Sequence, residues 1–275
     1  MSPGRLLSVL GVVLAWAAAA AAGPGGSVRT LEVPLPRLDQ PRSFAVAPDG
    51  AVWAVEDLGG RLVRARAGDG VEPVENGTPR LVASDPDGVV VALVGETGSF
   101  RLVTHGPGGR RAAPLAADPP PADPVGLDAR DGIAWVVDRN PPRLFLFAYD
   151  GALLAWTDLE GQARAPFSVA VGPSGEGYVT DPAGPGVWSF APTGALVGPV
   201  DLGGTGLTRP TGIAVDPSGR VWVSDGVTGC VVLLDPGRSS GPVRCEGRPV
   251  RFGDPLRLRW RDGLWVLDAS AGRVW

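Results

Sequence analysis

The sequence predicts an all-β chain arranged as a six-bladed β-propeller, on three observations. A Pro/Asp-x-Gly turn between two apolar runs recurs six times, its glycines Gly50, Gly88, Gly132, Gly175, Gly219 and Gly263 lying 38, 44, 43, 44 and 44 residues apart. A period in this range, with several short strands per unit, marks a propeller blade. Glycine (41) and proline (29) make up about a quarter of the 275 residues, roughly twice the usual share, so turns are frequent. Beyond residue 26 the longest stretch containing neither is residues 152–160, shorter than an average helix of about 11 to 12 residues. Helical bundles, doubly wound sheets and α/β barrels are thereby excluded.

At the N-terminus, residues 1–22 carry one Arg, an apolar and mostly Ala run over 6–22, and Ala20-Ala21-Ala22 before Gly23. Small residues after such a run suit a signal peptidase, which leaves residues 23–275 as one propeller domain, secreted or periplasmic. The run is also at the short edge of a bilayer span, so an uncleaved N-terminal anchor is the competing reading. No Cys follows the run, so lipidation is not indicated, and the mature chain has no span of its own.

The six copies then follow in order. FAVAPDGAVWAVE ends at Glu56, LVASDPDGVVVALV at Val94, VGLDARDGIAWVVD at Asp138, SVAVGPSGEGYVTD at Asp181, GIAVDPSGRVWVSD at Asp225 and LRLRWRDGLWVLD at Asp268. Third runs such as RLVRAR, FRLVTH, RLFLFA, GVWSFA and CVVLLD come next, and then less regular fourth runs such as ALLAWTDL and ALVGPVDL. Each copy therefore reads as four short strands. Only ASAGRVW follows the last copy, which leaves it three strands, while 27–36 (SVRTLEVPLP) belongs to no earlier blade. That N-terminal strand is expected to close the last blade, since closure removes free sheet edges.

Ser43, Gly126, Ser168 and Gly212 are tiny at one position of the first run, as innermost strands need where blades converge. Trp53, Trp135, Tyr178, Trp222 and Trp265 recur in the second run, with Val91 in the second copy. These rings are expected to pack between adjacent blades, each burying roughly 150 to 250 Å². The nine Trp are thus read as core before they are read as a carbohydrate-binding surface.

The fifth copy, RPTGIAVDPSGRVWVSDGVTGCVVLLD, resembles the NHL repeat, and APFSVAVGPSGEGYVTDPAGPGVWSFAPTG resembles a more diverged copy. More widely the chain is similar to six-bladed propellers that include the gluconolactonase/senescence-marker family, bacterial sensor propellers and the amidating lyase of peptide hormones. The resemblance specifies fold, and folds of this kind host binding proteins, hydrolases and lyases alike.

Carboxylates end the second run in five copies, Glu56, Asp138, Asp181, Asp225 and Asp268. A group repeated blade after blade is expected to serve the blade by accepting backbone N–H bonds in the next turn. A ring of metal ligands or acid/base groups is the alternative.

The channel mouth separates function classes better. Each first strand follows a Pro and one variable residue, giving Arg42, Arg80, Val125, Phe167, Thr211 and Leu256. In the gluconolactonase-like family, positions near the axis include carboxylates and an amide that hold a divalent cation. None of these six is Asp, Glu or Asn, so a hard cation would lack its ligands there. The amidating-lyase resemblance implies a zinc site of several His, which His105 alone does not supply.

Arg42 and Arg80 fall on neighbouring blades and are the candidate ligand-binding residues, two guanidinium groups converging on a carboxylate or phosphate. Solvated Arg paired with surface acids is the other reading. His105 is expected at a strand end near a loop, in solvent.

Cys230 and Cys245 flank a PGRSSG turn region. Export would favour a disulfide between them across a hairpin, and two buried thiols are the alternative. The basic residues are all Arg, with no Lys for Schiff-base chemistry. A net charge of −4 gives no basic face for nucleic acid.

The sequence thus predicts an exported, monomeric binding module without catalytic residue, metal or cofactor, whose partner is a protein or a small anionic ligand. The alternative is a lactonase-like hydrolase with a non-standard site.

Overall fold

In the computed structural model the described residues are 38, 40–56, 60–66, 69–184, 186–234, 241–242, 244–245, 248–249, 251–271 and 273–274. Residues 1–22 and 27–36, expected to be the signal segment and the closing strand, fall outside them. Among the described residues there is no helix, and strands pair antiparallel with their chain neighbours.

Blade 1 comprises Pro41–Val46, Val52–Glu56, Arg61–Ala65 and Val71–Asn76. Blade 2 comprises Pro79–Ser84, Val90–Val94, Arg101–Gly106 and Gly109–Pro114. Blade 3 comprises Pro124–Arg130, Ile133–Arg139, Pro142–Ala148 and Leu153–Asp158. Blade 4 comprises Ser168–Val171, Gly177–Asp181, Gly186–Phe190 and Leu196–Pro199. Blade 5 comprises Pro210–Val215, Val221–Asp225, Val231–Leu234 and Gly241–Pro242. Blade 6 comprises, among the described residues, Pro255–Trp260, Leu264–Asp268 and Arg273–Val274. A two-stranded ribbon, Arg244–Cys245 with Arg248–Pro249, separates it from blade 5.

The first strands are innermost. Each packs against the first strand of the next blade, and Pro255–Trp260 packs back against Pro41–Val46, so the ring closes through its inner strands. This convergence explains the tiny residues. A Cβ on Gly126 would stand 3.2 Å from the Ser168 Cα, and one on Gly212 only 2.8 Å from the Leu258 amide nitrogen. Where Ser replaces Gly the hydroxyl joins neighbouring strands: Ser43 donates to the Val82 carbonyl at 3.2 Å and accepts from the Val82 N–H at 3.0 Å.

The recurring aromatic of each blade packs against the next, as the repeat predicts. Trp135 lies among Val169 and Val179 of blade 4, Tyr178 against Ile213 and Val223 of blade 5, and Trp222 with Leu258 and Trp260 of blade 6. Trp265 completes the ring against Phe44 and Val63 of blade 1. These contacts bury apolar area between blades, and that burial joins the sheets into one ring.

The strand-end carboxylates hold the connectors. Asp138 accepts from the Ala122 and Asp123 amides, Asp181 from Arg164 and Ala165, Asp225 from Thr208 and Arg209, and Asp268 from Gly253 and Asp254. Asp225 also accepts from the Val227 and Thr228 amides of its following turn. Each acid therefore fastens the chain arriving from the previous blade, a longer-range task than the local turn predicted for it. Bonding to the ionised form explains why the Asp225 carboxyl is held down at about 2 although burial opposes it.

Candidate functional site at the channel mouth

Five of the first strands open on a Pro that pairs with the end of the second strand: Pro41 with Glu56, Pro79 with Val94, Pro124 with Asp138, Pro210 with Asp225 and Pro255 with Asp268. The register slips just beyond it, a bulge of the kind that re-aims a side chain. The six variable residues thus surround the end of the channel that carries the blade connectors.

What fills the axis is a column of arginines from blade 6. Arg257 and Arg259 alternate along Pro255–Trp260, so their side chains leave the same face, and Arg261 follows just past the end of that strand. Arg257 donates to the Val125 carbonyl of blade 3 at 2.8 Å and to its neighbour Leu256 at 3.2 Å. Arg259 reaches the Leu127 carbonyl of blade 3 at 2.9 Å and Val82 of blade 2 at 3.4 Å. Arg261 ends the column at the opposite face, on the carbonyls of Val46, Asp85 and Pro86. Three guanidinium groups thus bridge strands across the ring and obstruct the channel.

Arg257 and Arg259 are 5% and 8% exposed. Neither has a carboxylate within ion-pair distance among the described residues. Burial, then the nearby charges of Arg259 and Arg42, push the Arg257 pKa down to about 9, which still leaves it protonated at neutral pH. For Arg259 burial lowers the pKa while Asp128 opposes. Asp128 in turn is shifted upward by burial, against the attraction of Arg259 and a 2.8 Å bond from the Val171 N–H. Phe167, one of the six mouth residues, lies beneath Arg257 with its ring centroid 4.0 Å from the guanidinium carbon.

The sequence-derived candidates meet this geometry unevenly. Arg42 stands near enough to Arg257 to depress its pKa. Arg80 turns its Nε towards the Gly95 carbonyl of its own blade, at 3.4 Å. The structure thus brings Arg42 towards Arg257, a residue the sequence reading passed over. Its signal was legible: where the first strands of blades 1, 4 and 5 have Gly or Ser and then, two residues on, Ala, the sixth copy has Arg257 and Arg259.

Two other expectations change. His105 is not a solvated loop residue: it lies in the third strand of blade 2 with its ring 5.0 Å from Trp53 of blade 1, and its buried Nε2 has no hydrogen-bond partner. Burial lowers its pKa, Glu75 opposes and Arg110 adds to the lowering. Cys230 is a buried free thiol, its Sγ 3.7 Å from the Thr228 carbonyl oxygen. Its backbone bridges to Arg251 while Cys245 pairs with Arg248, so the expected hairpin does not set the two cysteines opposite each other. The Cys245 side chain lies outside the described residues.

Away from the axis, a cleft of about 790 Å³ opens between blades 3 and 4, lined by Pro142, Glu160, Arg164 and Trp188 among others. Among the described residues no group of three or more His, Cys, Asp or Glu is placed to hold a metal ion.

Comparison with known proteins agrees with this architecture. No match was found among curated protein sequences. Among solved structures the chain is similar to virginiamycin B lyase from Staphylococcus aureus, in a structure with quinupristin, at 16% identity and TM-score 0.63 over 87% of this chain and 83% of that one. A gluconolactonase from Xanthomonas campestris superposes at 18% identity and TM-score 0.60, over 87% and 86%. A chain of a nidogen/laminin complex does so at 16% identity and TM-score 0.52, over 76% and 86%. At such identities the likeness is one of fold. The NHL repeat model matches residues 207–232, and the chain is therefore a β-propeller that carries an NHL repeat in its fifth blade.

Proposed function

We propose that this chain is an exported binding propeller that receives its ligand at the channel mouth, on the face of the blade connectors. One observation carries the reading: the mouth residues Val125, Leu256 and Phe167 hold a buried, positively charged Arg257 rather than a carboxylate. The strand-end acids that a metal-dependent hydrolase would draw on are occupied, at Asp138, Asp181, Asp225 and Asp268, by connector amides. Solved propellers of this shape include both a gluconolactonase and a member of a protein complex, so shape leaves the choice to the site.

Native mass spectrometry of the protein recovered from the exported fraction tests the proposal. A chain beginning near Gly23 with a retained ligand, lost when Val125→Trp blocks the mouth of a folded variant, supports it. The full-length chain found only in the cytoplasm would overturn export. A ligand indifferent to Val125→Trp would overturn the mouth.

A further inference from the structure

We propose that the mouth is an oxyanion site, in which Arg257 receives the carboxylate or phosphate end of a small ligand. The assignment rests on the mouth being the ligand-receiving face and names the chemistry of what it receives.

A guanidinium has five N–H donors. Arg257 uses its two terminal nitrogens on the Val125 and Leu256 carbonyls and makes no ion pair among the described residues. The charges that weigh on it are both cations, Arg259 and Arg42, the latter with an interaction of its own. At Arg259, one step further in, the charge is again unpaired among the described residues, and its buried Nε has no hydrogen-bond partner. A buried charge is costly unless it is paired. Here two lie in succession on one strand, and the acid nearest to them, Asp128, is itself pushed towards its neutral form.

An anion at the mouth would neutralise this excess where the ring opens. It would meet a planar donor group held in place by backbone carbonyls and by the Phe167 ring, so little side-chain freedom is lost on binding. Carboxylate and phosphate both match the guanidinium fork. An extended or bulky anion would be stopped by the guanidinium column, which restricts the ligand to one that offers an anionic end.

The test is calorimetry and thermal melting of the mature chain at fixed ionic strength, titrated separately with acetate, succinate and inorganic phosphate. Saturable binding with a matching rise in melting temperature is expected for at least one of them. Response to the carboxylates alone identifies a carboxylate ligand, and response to phosphate alone a phosphate ligand; either supports the proposal. Arg257→Gln should weaken binding roughly ten- to hundredfold, the value of one to two charge-assisted bonds.

Arg42→Gln, less buried, keeps the test informative should Arg257→Gln fail to fold, with a smaller loss expected. Arg164→Gln, exposed in the cleft between blades 3 and 4, removes the same charge and should bind as wild type. Equal binding by wild type and Arg257→Gln overturns the assignment. No saturable response to any of the three anions, while the recovered protein retains a neutral ligand that Val125→Trp displaces, overturns the anion and leaves the mouth standing.

Discussion

Blades 5 and 6 treat the same position of the repeat in opposite ways. In blade 5 the innermost strand presents Gly212 and Ala214, and in blade 6 it presents Arg257 and Arg259. At the end of the second strand the two blades are alike: Asp225 and Asp268 each hold the connector that arrives before their own blade. Gly212 serves packing, because a Cβ there would meet the Leu258 amide nitrogen and the Arg257 carbonyl carbon at 2.8 and 2.9 Å. Arg257 does the reverse and leaves its own blade to bond a carbonyl of blade 3. Residues that obey the repeat build the ring, and the strand that departs from it puts charge on the axis.

That contrast can be broken most severely on the side of the repeat. Asp225→Ala strips the acceptor from four backbone amides and the Thr208 hydroxyl, and should cost about 3–5 kcal/mol in a urea titration. Next comes Arg259→Ala, which leaves the Leu127 and Val82 carbonyls without their channel donor. About 2–3 kcal/mol is expected, in line with lost bonds to a charged group. Gly212→Ala should cost roughly 1–3 kcal/mol by overpacking. Were it neutral, the close approach of the two inner strands would not be the reason for glycine.

Two pH effects sharpen the same division. The Asp225 pKa is depressed from 3.8 to about 2 on folding. Its stabilisation is therefore complete above pH 3.8 and is lost as pH falls through about 2. Asp225→Asn should remove that acid-side slope from melting curves. His105 is also depressed, from 6.5, by burial against Trp53. Its neutral form favours folding above pH 6.5, and stability declines as pH falls through the lower folded value. The loss should be the smallest of the set and should vanish in His105→Gln.

Much of this was legible because it repeats. The turn glycines are where a left-handed backbone is needed, as at Gly219 with φ of 78°. The third copy is a variation on that theme: Asp131 and Gly132 have φ of 51° and 80°, the two-residue turn that twists with its strands. The aromatics sit between blades because a ring at every forty-fourth residue meets the same kind of neighbour each time. The strand-end acids were correctly read as structural, although their connector partners, 14 to 17 residues away, follow from no local rule.

His105 was misplaced for a related reason: its position takes its character from a partner distant in the chain, Trp53. Arg42 and Arg80 share a position in the repeat, whereas their environments differ. Arg80 is directed to a carbonyl of its own blade and Arg42 stands beside the charge of Arg257.

By itself the sequence determined the all-β class, the period of the blades, the small inner residues and the packing role of the recurring aromatics. Those follow from local chemistry repeated at a fixed interval, and every copy reports on the others. The tertiary structure alone decided that the channel is bridged by Arg257, Arg259 and Arg261 and that its mouth carries a buried cation. The reason is reach: a guanidinium on blade 6 finds its acceptors on blades 1, 2 and 3, between 132 and 215 residues away, and only the closed ring brings them within bonding distance.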